Sequence, residues 1–503
     1  MRRLFEAFHS AGKELFLVGG AVRDLAMGGS EVDLDDLDFT TNCLPDETLA
    51  ILQGNGFRTY EMGIEFGTVG AVLSGPPSGG FPKDVQVTTY RSGEYYRRGS
   101  RHPTVSFGDT LAQDLRRRDF SINSIAMDID GNWVDPYGGL RDIEAGVLRV
   151  VGDAHETLAE DPLRILRVGR FMAKLGFVPT AELEQAAYDC ATHILDISRE
   201  RWHQELDKLL VAPHVAAAMD FLARVRLLNV IMPELTALID LHERSPVGST
   251  PVDWWAQTLA LIEAAGRDRT VSWAAMMVHT GRPWVRSFEG LQPPPPGPVA
   301  AGLGSARHAV AASAGVAVNY DRHAKMAGEF ARGLARRFHM DHKLATAIEF
   351  TVLNQELALS YGSAMTDADV RHLYRRMEGY HAELIGLATA LRKVGSHEPG
   401  ASVEELVELQ ARIADLDARG ELVPRLPGGL GNLLMAELAV PRGPMLGELL
   451  AWLTEEIMAG GVGSALDPEV YLNYLMERSP PVLERARQVV GPSRRGGPGT
   501  GRH

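Results

Sequence analysis

An apolar run, Leu15-Phe16-Leu17-Val18, breaks at Gly19-Gly20 and resumes as Ala21-Val22-Arg23-Asp24. Four apolar residues stopped by a glycine pair read as a strand, and the residues after the pair read as the start of a helix. A strand feeding a helix through so tight a turn commits this end of the chain to α/β layering. A second β-rich run, Asp36-Leu37-Asp38-Phe39-Thr40-Thr41, comes soon after. Alternate residues of a strand share a face, so the carboxylates of Asp36 and Asp38 fall on one side, about 7 Å apart along the chain.

Those two features carry chemistry. Two hard oxygen ligands with open positions suit Mg²⁺, which keeps waters and completes its shell with substrate phosphates. The plain alternative is a solvated acidic loop made of Asp33, Asp35, Asp36 and Asp38. Backbone N–H groups at Gly19-Gly20, with Arg23 one helical turn on, form a cradle for a triphosphate. Alone, that glycine pair would read as an ordinary turn beside a surface arginine; paired with the aspartate dyad, it points to phosphate chemistry.

Further strand-like runs are Thr68 to Leu73 and Val85 to Thr89, joined by turn residues 74–80, which implies a hairpin. From Thr157 onward helical spacing takes over, as in Leu163, Leu166, Met172 and Leu175, or Leu206, Leu209 and Leu210. The proline run 292–298 marks a loop or linker, and the apolar-poor tail from Gly491 is expected to be disordered. With 503 residues the chain has room for several cores and needs no disulfide or structural metal. Its two cysteines, Cys43 and Cys190, fit a reducing compartment. The absence of a long uncharged apolar run and of a signal-like start makes a cytoplasmic protein without membrane association the expectation. A net charge of −14 argues against a protein that coats nucleic acid non-specifically, while leaving room for a local basic patch.

Longer motifs accompany the first two: RRDFSINSIAMD (117–128), DPYGGLRDIEAGVLRVVGD (135–153), EDPLRILRVGRF (160–171) and SRERWHQELDKLL (198–210). With GGAVRD and DLDFTT, and in this order, they resemble the class II tRNA nucleotidyltransferase and bacterial poly(A) polymerase family of the polymerase-β superfamily, over about the first 215 residues. The resemblance implies an α/β nucleotidyltransferase head (mixed sheet with helices, 1–150) followed by all-α parts. These are a neck that binds nucleotide and RNA (151–235), a body (236–385) and an RNA-binding tail (386–490), with 491–503 disordered.

On the matching positions the resemblance implies that Asp36 and Asp38 hold two Mg²⁺ ions. One would activate an RNA 3′-hydroxyl and the other would stabilise the departing pyrophosphate. Gly19, Gly20 and Arg23 would hold triphosphate, and Arg118, Asp119 and Asn123 ribose and phosphate; Asp119 and Asn123 read equally well as helix-capping groups. Asp161 and Arg164, three apart on a helix, share a face. In the family such a pair reads the incoming base. A carboxylate accepts from the exocyclic amine of cytosine or adenine and a guanidinium donates to the adjacent ring nitrogen, so CTP and ATP fit where uracil and guanine present a carbonyl. Asp161 before Pro162 is also a natural cap. Arg167 and Arg170 continue the face toward nucleotide or RNA, with a structural role for Arg170 equally open.

Two departures stand out. Gln86 occupies the place of the family's glutamate in Asp84-Val85-Gln86-Val87-Thr88-Thr89, with Asp84 on the same face one step away. The body resembles the actinobacterial type, whose HD phosphohydrolase module is eroded here: Thr280 follows His279 where an aspartate is expected, and Gln257 and Asn354 stand near expected histidines. No phosphohydrolase activity is expected, and His279 and His323 are read as packed or surface residues.

The expected activity is addition of C, C and A to the tRNA acceptor end from CTP and ATP. Gly63-Ile64-Glu65-Phe66-Gly67-Thr68-Val69 resembles the CCA-enzyme form, and the stretch 93–105 keeps the length of the loop that CC-adding relatives shorten. Partial CC or A addition, poly(A) synthesis and a catalytically impaired RNA-binding relative stay open. The basic stretches Arg332 to Arg337 and Arg371 to Arg376 read more readily as solvated helix faces than as RNA sites.

Overall fold

The structure is a computed structural model that describes residues 1–29, 37–61, 63–73, 84–96, 103–239, 241–244, 251–285, 287–288, 318–319, 322–395, 400–423 and 425–490. Asp36, the 74–80 turn, the proline run and the tail from residue 491 lie outside the described residues. The chain divides into two compact units, Met1–Val352 and Leu353–His503.

The first unit opens on the head, whose strands are β1 (Leu15–Val18), β2 (Leu37–Thr41), β3 (Arg58–Glu61), β4 (Thr68–Val72), β5 (Asp84–Thr89), β6 (Arg91–Tyr96), β7 (Pro103–Phe107), β8 (Ala126–Met127) and β9 (Trp133–Val134). Seven of them form one mixed sheet in the order β3-β4-β5-β2-β1-β8-β9. Only β2 and β5 within it run parallel. The antiparallel β4–β5 pair agrees with the expected hairpin. Strands β6 and β7 pair separately, so part of the stretch read as a loop is strand, as Tyr95, Tyr96, Thr104 and Val105 favour.

Strand periodicity decides which face is dry. Leu17, Leu37, Phe39, Val69, Val85 and Val87 point into a core. Helices α1 (Arg2–Ser10) and α3 (Pro45–Gly54) add Leu4, Phe5, Phe8 and Leu52 to it. Helices α2 (Gly20–Ala26), α4 (Leu111–Arg116) and α5 (Gly139–Ala145) also belong to the head. Phe5 meets Phe39 edge to face at 5.5 Å. Each such fully buried apolar side chain is worth about 2 kcal/mol of transfer free energy. Inverting the register by one residue would put Asp38 in this core, which fixes Asp38 on the opposite, wet face.

Beyond the head the unit is helical: α6 (Ala154–Glu160), α7 (Leu163–Leu175), α8 (Ala181–Cys190) and α9 (Arg199–Leu210) are followed by helices such as Val215–Arg224, Trp254–Ala265 and Arg269–Met277. Helix α7 buries Ile165, Leu166, Val168 and Met172 and ends at Gly176, whose φ of +71° closes the helix without a Cβ penalty. In the body, His279 is buried with Nδ1 3.1 Å from the Thr258 hydroxyl and its ring against Trp254, while Thr280 donates to the Met277 carbonyl at 2.6 Å. His323 is buried as well. Arg332 and Arg337 pair with Glu349 and Glu234.

The second unit is all helical among its described residues from Asp367 on, apart from connections. Leu434, Leu449, Leu453, Tyr471 and Leu475 form its core. Arg371, expected on a solvated face, is instead buried and donates to the Met458 carbonyl at 2.9 Å. A guanidinium far from a helix's own end can satisfy a terminal carbonyl elsewhere, which local sequence does not reveal. Cys43 and Cys190 are buried free thiols. No helix among the described residues is long and apolar enough to cross a membrane.

Candidate nucleotide site

The wet face of β1, β2 and β5 forms one wall of a cavity of about 1550 Å³, and α7 and α9 help form another. A pocket for a single small ligand holds roughly 300–1,000 Å³, so this one has room for a nucleotide and more. Among the described residues nine arginines line it, a basic concentration in a chain of net charge −14.

On the sheet side, β1 ends at Gly19 with φ +76°, a conformation that costs L-residues and so selects glycine. A Cβ at Gly19 would lie 3.6 Å from Asp38 Oδ2 and 3.5 Å from Arg118 Nη1, which shows how closely turn, carboxylate and guanidinium converge. Asp38 is exposed on β2, between Val18 on β1 and Gln86 on β5 in the strand register. Gln86 lines the cavity, whereas Asp84 is not among its lining residues. The neighbour of Asp38 on β5 is therefore a neutral amide.

Arg23 does not lie on the surface. Its side chain is 3% exposed, donates to Asp24 at 2.6 and 2.9 Å and to Asn123 at 2.8 Å, and sits over the Phe171 ring. Asn123 in turn donates to Asp119 at 2.9 Å, and Asp119 also accepts the Phe120 N–H at 2.9 Å. Its second oxygen receives Arg167 of α7. Burial alone would raise the Asp119 carboxyl; the Arg167 charge and the Asn123 amide outweigh it and hold the pKa down to about 2. Arg167 is raised correspondingly, chiefly by Asp119. Arg170 pairs with Glu205 of α9 at 3.0 Å and stacks on Phe171. Arg23, Asn123, Asp119 and Arg167 thus form one continuous network between the sheet and α7; Asp119 does not cap a helix, since the short helical turn Ser121–Asn123 has Phe120 at its N-cap and takes no side-chain cap bond.

Asp161 falls in extended backbone between α6 and α7, so it does not share a helix face with Arg164 as the three-residue spacing predicts; a proline follows it and α7 begins only at Leu163. One of its oxygens accepts the Leu163 N–H at 3.2 Å, as a capping residue does, and the other faces Arg201 of α9 at 3.4 Å. Arg164 donates to the carbonyls of Thr157 and Arg117, both at 3.0 Å. A guanidinium has five N–H groups, so these two bonds fix its plane and leave others for a ligand. Both residues line the cavity.

Three contributors escape the sequence reading. Asp114, in α4, is wholly buried beneath the cavity and pairs with Arg117 and Arg118, both at 3.0 Å. Its spacing of three and four from those arginines was a usable signal. Arg201 and Glu205 lie 40 and 35 residues from their partners Asp161 and Arg170, with no local pattern to announce the pairing.

Residues 15–149 match the family model described as the poly A polymerase head domain, and 176–239 match the probable RNA and SrmB-binding site of polymerase A. The chain is 38% identical over 224 residues to the CCA-adding enzyme of Geobacillus stearothermophilus, covering 44% of this chain and 52% of that one. It is 39% identical over 282 residues to the CCA-adding enzyme of Geobacillus thermodenitrificans, covering 55% and 63%. These matches span between half and two-thirds of the relatives' length. The crystal structure of Bacillus stearothermophilus CCA-adding enzyme in complex with CTP superposes with a TM-score of 0.62 at 25% identity, covering 95% of this chain and 96% of that one.

Proposed function

We propose that the chain, whose residues 15–149 and 176–239 match the models of the poly A polymerase head domain and the RNA-binding site of polymerase A, is a member of the poly(A) polymerase and CCA-adding family and adds C, C and A to the 3′ end of tRNA from CTP and ATP. The observation that carries this reading is the convergence on one basic cavity of Asp38, the Gly19-Gly20 turn, Arg118 and the Asp161–Arg164 pair. The relatives' names, and CTP in the solved structure of one of them, support it.

The reaction is attack of the RNA 3′-hydroxyl on the α-phosphate of the nucleotide, with the bond to pyrophosphate breaking in line. Gly19 and Gly20 let the backbone approach the triphosphate, and Arg118, whose Nη1 already faces that turn, offsets its charge. Arg23 acts from within the wall: held by Asp24 and Asn123, it lends positive potential and braces the network around Asp119. Asp161 accepts from the amine of cytosine or adenine while Arg164 donates to the ring nitrogen, its plane set by Thr157 and Arg117. Arg167 and Arg170, anchored by Asp119 and Glu205, border the nucleotide and RNA end.

A divalent cation fits the donor set. Asp38 offers hard carboxylate oxygens on an exposed strand face, Gln86 beside it is able to offer an amide oxygen, and Asp36, two residues before Asp38, completes the sequence dyad. When bound by Asp36 and Asp38, Mg²⁺ supplies activation of the 3′-hydroxyl and charge neutralisation at the leaving pyrophosphate.

The neutral Gln86 favours one competing reading, an RNA-binding relative with impaired catalysis. Purified protein is incubated with tRNA ending at the discriminator base, Mg²⁺ and each labelled nucleotide. Sequential incorporation of CTP and then ATP is expected; incorporation of neither sinks the enzyme reading in favour of the impaired relative. CC-only or A-only products, or long A tails on unrelated RNA, would replace CCA addition by the corresponding activity. With tRNA as substrate and two free thiols, the proposed place of action is the cytoplasm.

A further inference from the structure

Asp114 is wholly buried, yet it belongs to none of the motifs that carry the proposed chemistry. Its Oδ1 accepts the backbone N–H of Arg91 at 3.2 Å and two donors of Arg117, Nε at 3.2 Å and Nη2 at 3.0 Å; its Oδ2 accepts Arg118 Nη2 at 3.0 Å. One carboxylate thus gathers four donors from three different residues. Burial pushes its pKa up, and the Arg118 and Arg117 charges more than reverse that, so the group stays ionised where it sits.

The partners give this node its meaning. Arg91 opens β6, the first strand of the β6–β7 hairpin. Arg118 brings Nη1 to the Gly19 turn, which the Asp38 carboxylate also approaches, on the phosphate side of the cavity. Arg117 passes its carbonyl to Arg164, on the base side. The base of the hairpin, the phosphate-side Arg118, and Arg117, whose carbonyl holds the base-side Arg164, all meet at one anion.

We propose that Asp114 is a positioning residue for nucleotide binding: it aims Arg118 at the triphosphate and, through the same carboxylate, pins the base of the β6–β7 hairpin. This rests on the nucleotide-transfer reading above. Because the two oxygens serve different partners, two substitutions separate the two effects. Asp114→Asn keeps one amide oxygen, which the Arg91 N–H and Arg117 hold, and turns its NH₂ toward the Arg118 guanidinium, donor against donor. Asp114→Ala removes both acceptors.

The test measures KM for CTP and for ATP, KM for tRNA and kcat in the full-length variants, with thermal melts and hydrogen exchange of the segment that begins at Arg91. Asp114→Asn is expected to raise both nucleotide KM values about tenfold or more, since even a small misplacement of a binding group is costly, and to leave KM for tRNA within about twofold. Both variants show the nucleotide effect, but only Asp114→Ala speeds exchange at Arg91. Unchanged nucleotide KM in Asp114→Asn, or an equal rise in KM for tRNA, overturns the proposal. If Asp114→Asn is unfolded at the assay temperature, Asp114→Glu, which keeps the charge, takes its place. It must show the same split between nucleotide and tRNA, and uniform loss overturns the positioning role. Failure of the wild type to incorporate any nucleotide sinks the reading beneath; slow exchange at Arg91 in Asp114→Ala would independently overturn the pinning of the hairpin.

Discussion

Asp119, just after α4, receives the Arg167 guanidinium from α7, and the same carboxylate holds Asn123, which holds Arg23. A charge pair between two structural parts thereby orients side chains on both sides of the cavity. Asp119→Asn leaves Arg167 without its counter-charge and is expected to destabilise the fold by about 3 kcal/mol. Chemical denaturation of the variant measures this, and a loss below about 1 kcal/mol would mean that solvent supports Arg167 well enough alone.

The pair also sets an acid limit. The Asp119 carboxyl lies at about 2 in the folded protein against 3.8 ordinarily. A depressed folded-state pKa adds stability above the unfolded value and loses it as the pH falls through the folded one. The contribution, about 2 kcal/mol, is therefore whole above about pH 4 and vanishes toward pH 2. The stability gap between wild type and Asp119→Asn should narrow across that window; a gap that stays constant contradicts the assignment.

Asp38 faces the cavity beside the Gly19 turn. Asp38→Ala should cut Mg²⁺-dependent incorporation by more than about 100-fold with the melting temperature preserved, because the residue is exposed and outside the core. Near-normal incorporation in a folded Asp38→Ala protein would remove the metal site proposed here.

Gln86 adjoins Asp38 across the parallel β2–β5 register. Gln86→Glu adds a hard anionic oxygen and is expected to lower the Mg²⁺ concentration for half-maximal activity by about threefold to tenfold. A magnesium titration decides it. If the requirement rises or stays put, the amide is not a weakened version of a metal-supporting group.

Asp161 and Arg164 both line the cavity and are the pair proposed to read the base. Asp161→Asn exchanges a pure acceptor for a group that also donates, which suits the uracil carbonyl. The preference for CTP over UTP should fall by about 10- to 100-fold, the value of one good bidentate contact. Competition between labelled CTP and UTP on one primer reads this ratio, and an unchanged ratio would locate base choice elsewhere.

Much of the head was legible locally. The apolar run before Gly19-Gly20 and the alternation around Asp38 depend on neighbours one to four residues apart, and β1, α2 and β2 formed where that pattern required. The helical spacing of Leu163, Leu166, Met172 and Leu175 likewise became α7. The pairing of β6 with β7 was not read, because the stretch looked like a basic, glycine-containing loop and each residue's strand partner lies 7 to 16 residues away.

By itself, then, the sequence determined the alternation that puts Asp38 opposite the core, the glycine turn that only an unsubstituted backbone tolerates, and the helical spacing that becomes α7. Each is a consequence of bond geometry along a short stretch of chain. Tertiary structure alone decided that Arg23 is buried against Asn123, that Arg201 faces Asp161, and that Asp114 takes the Arg91 N–H besides the two arginines its own spacing offered. Those relations are electrostatic and span up to 100 residues; which charges meet inside a low-dielectric wall depends on where the packed core brings the segments together.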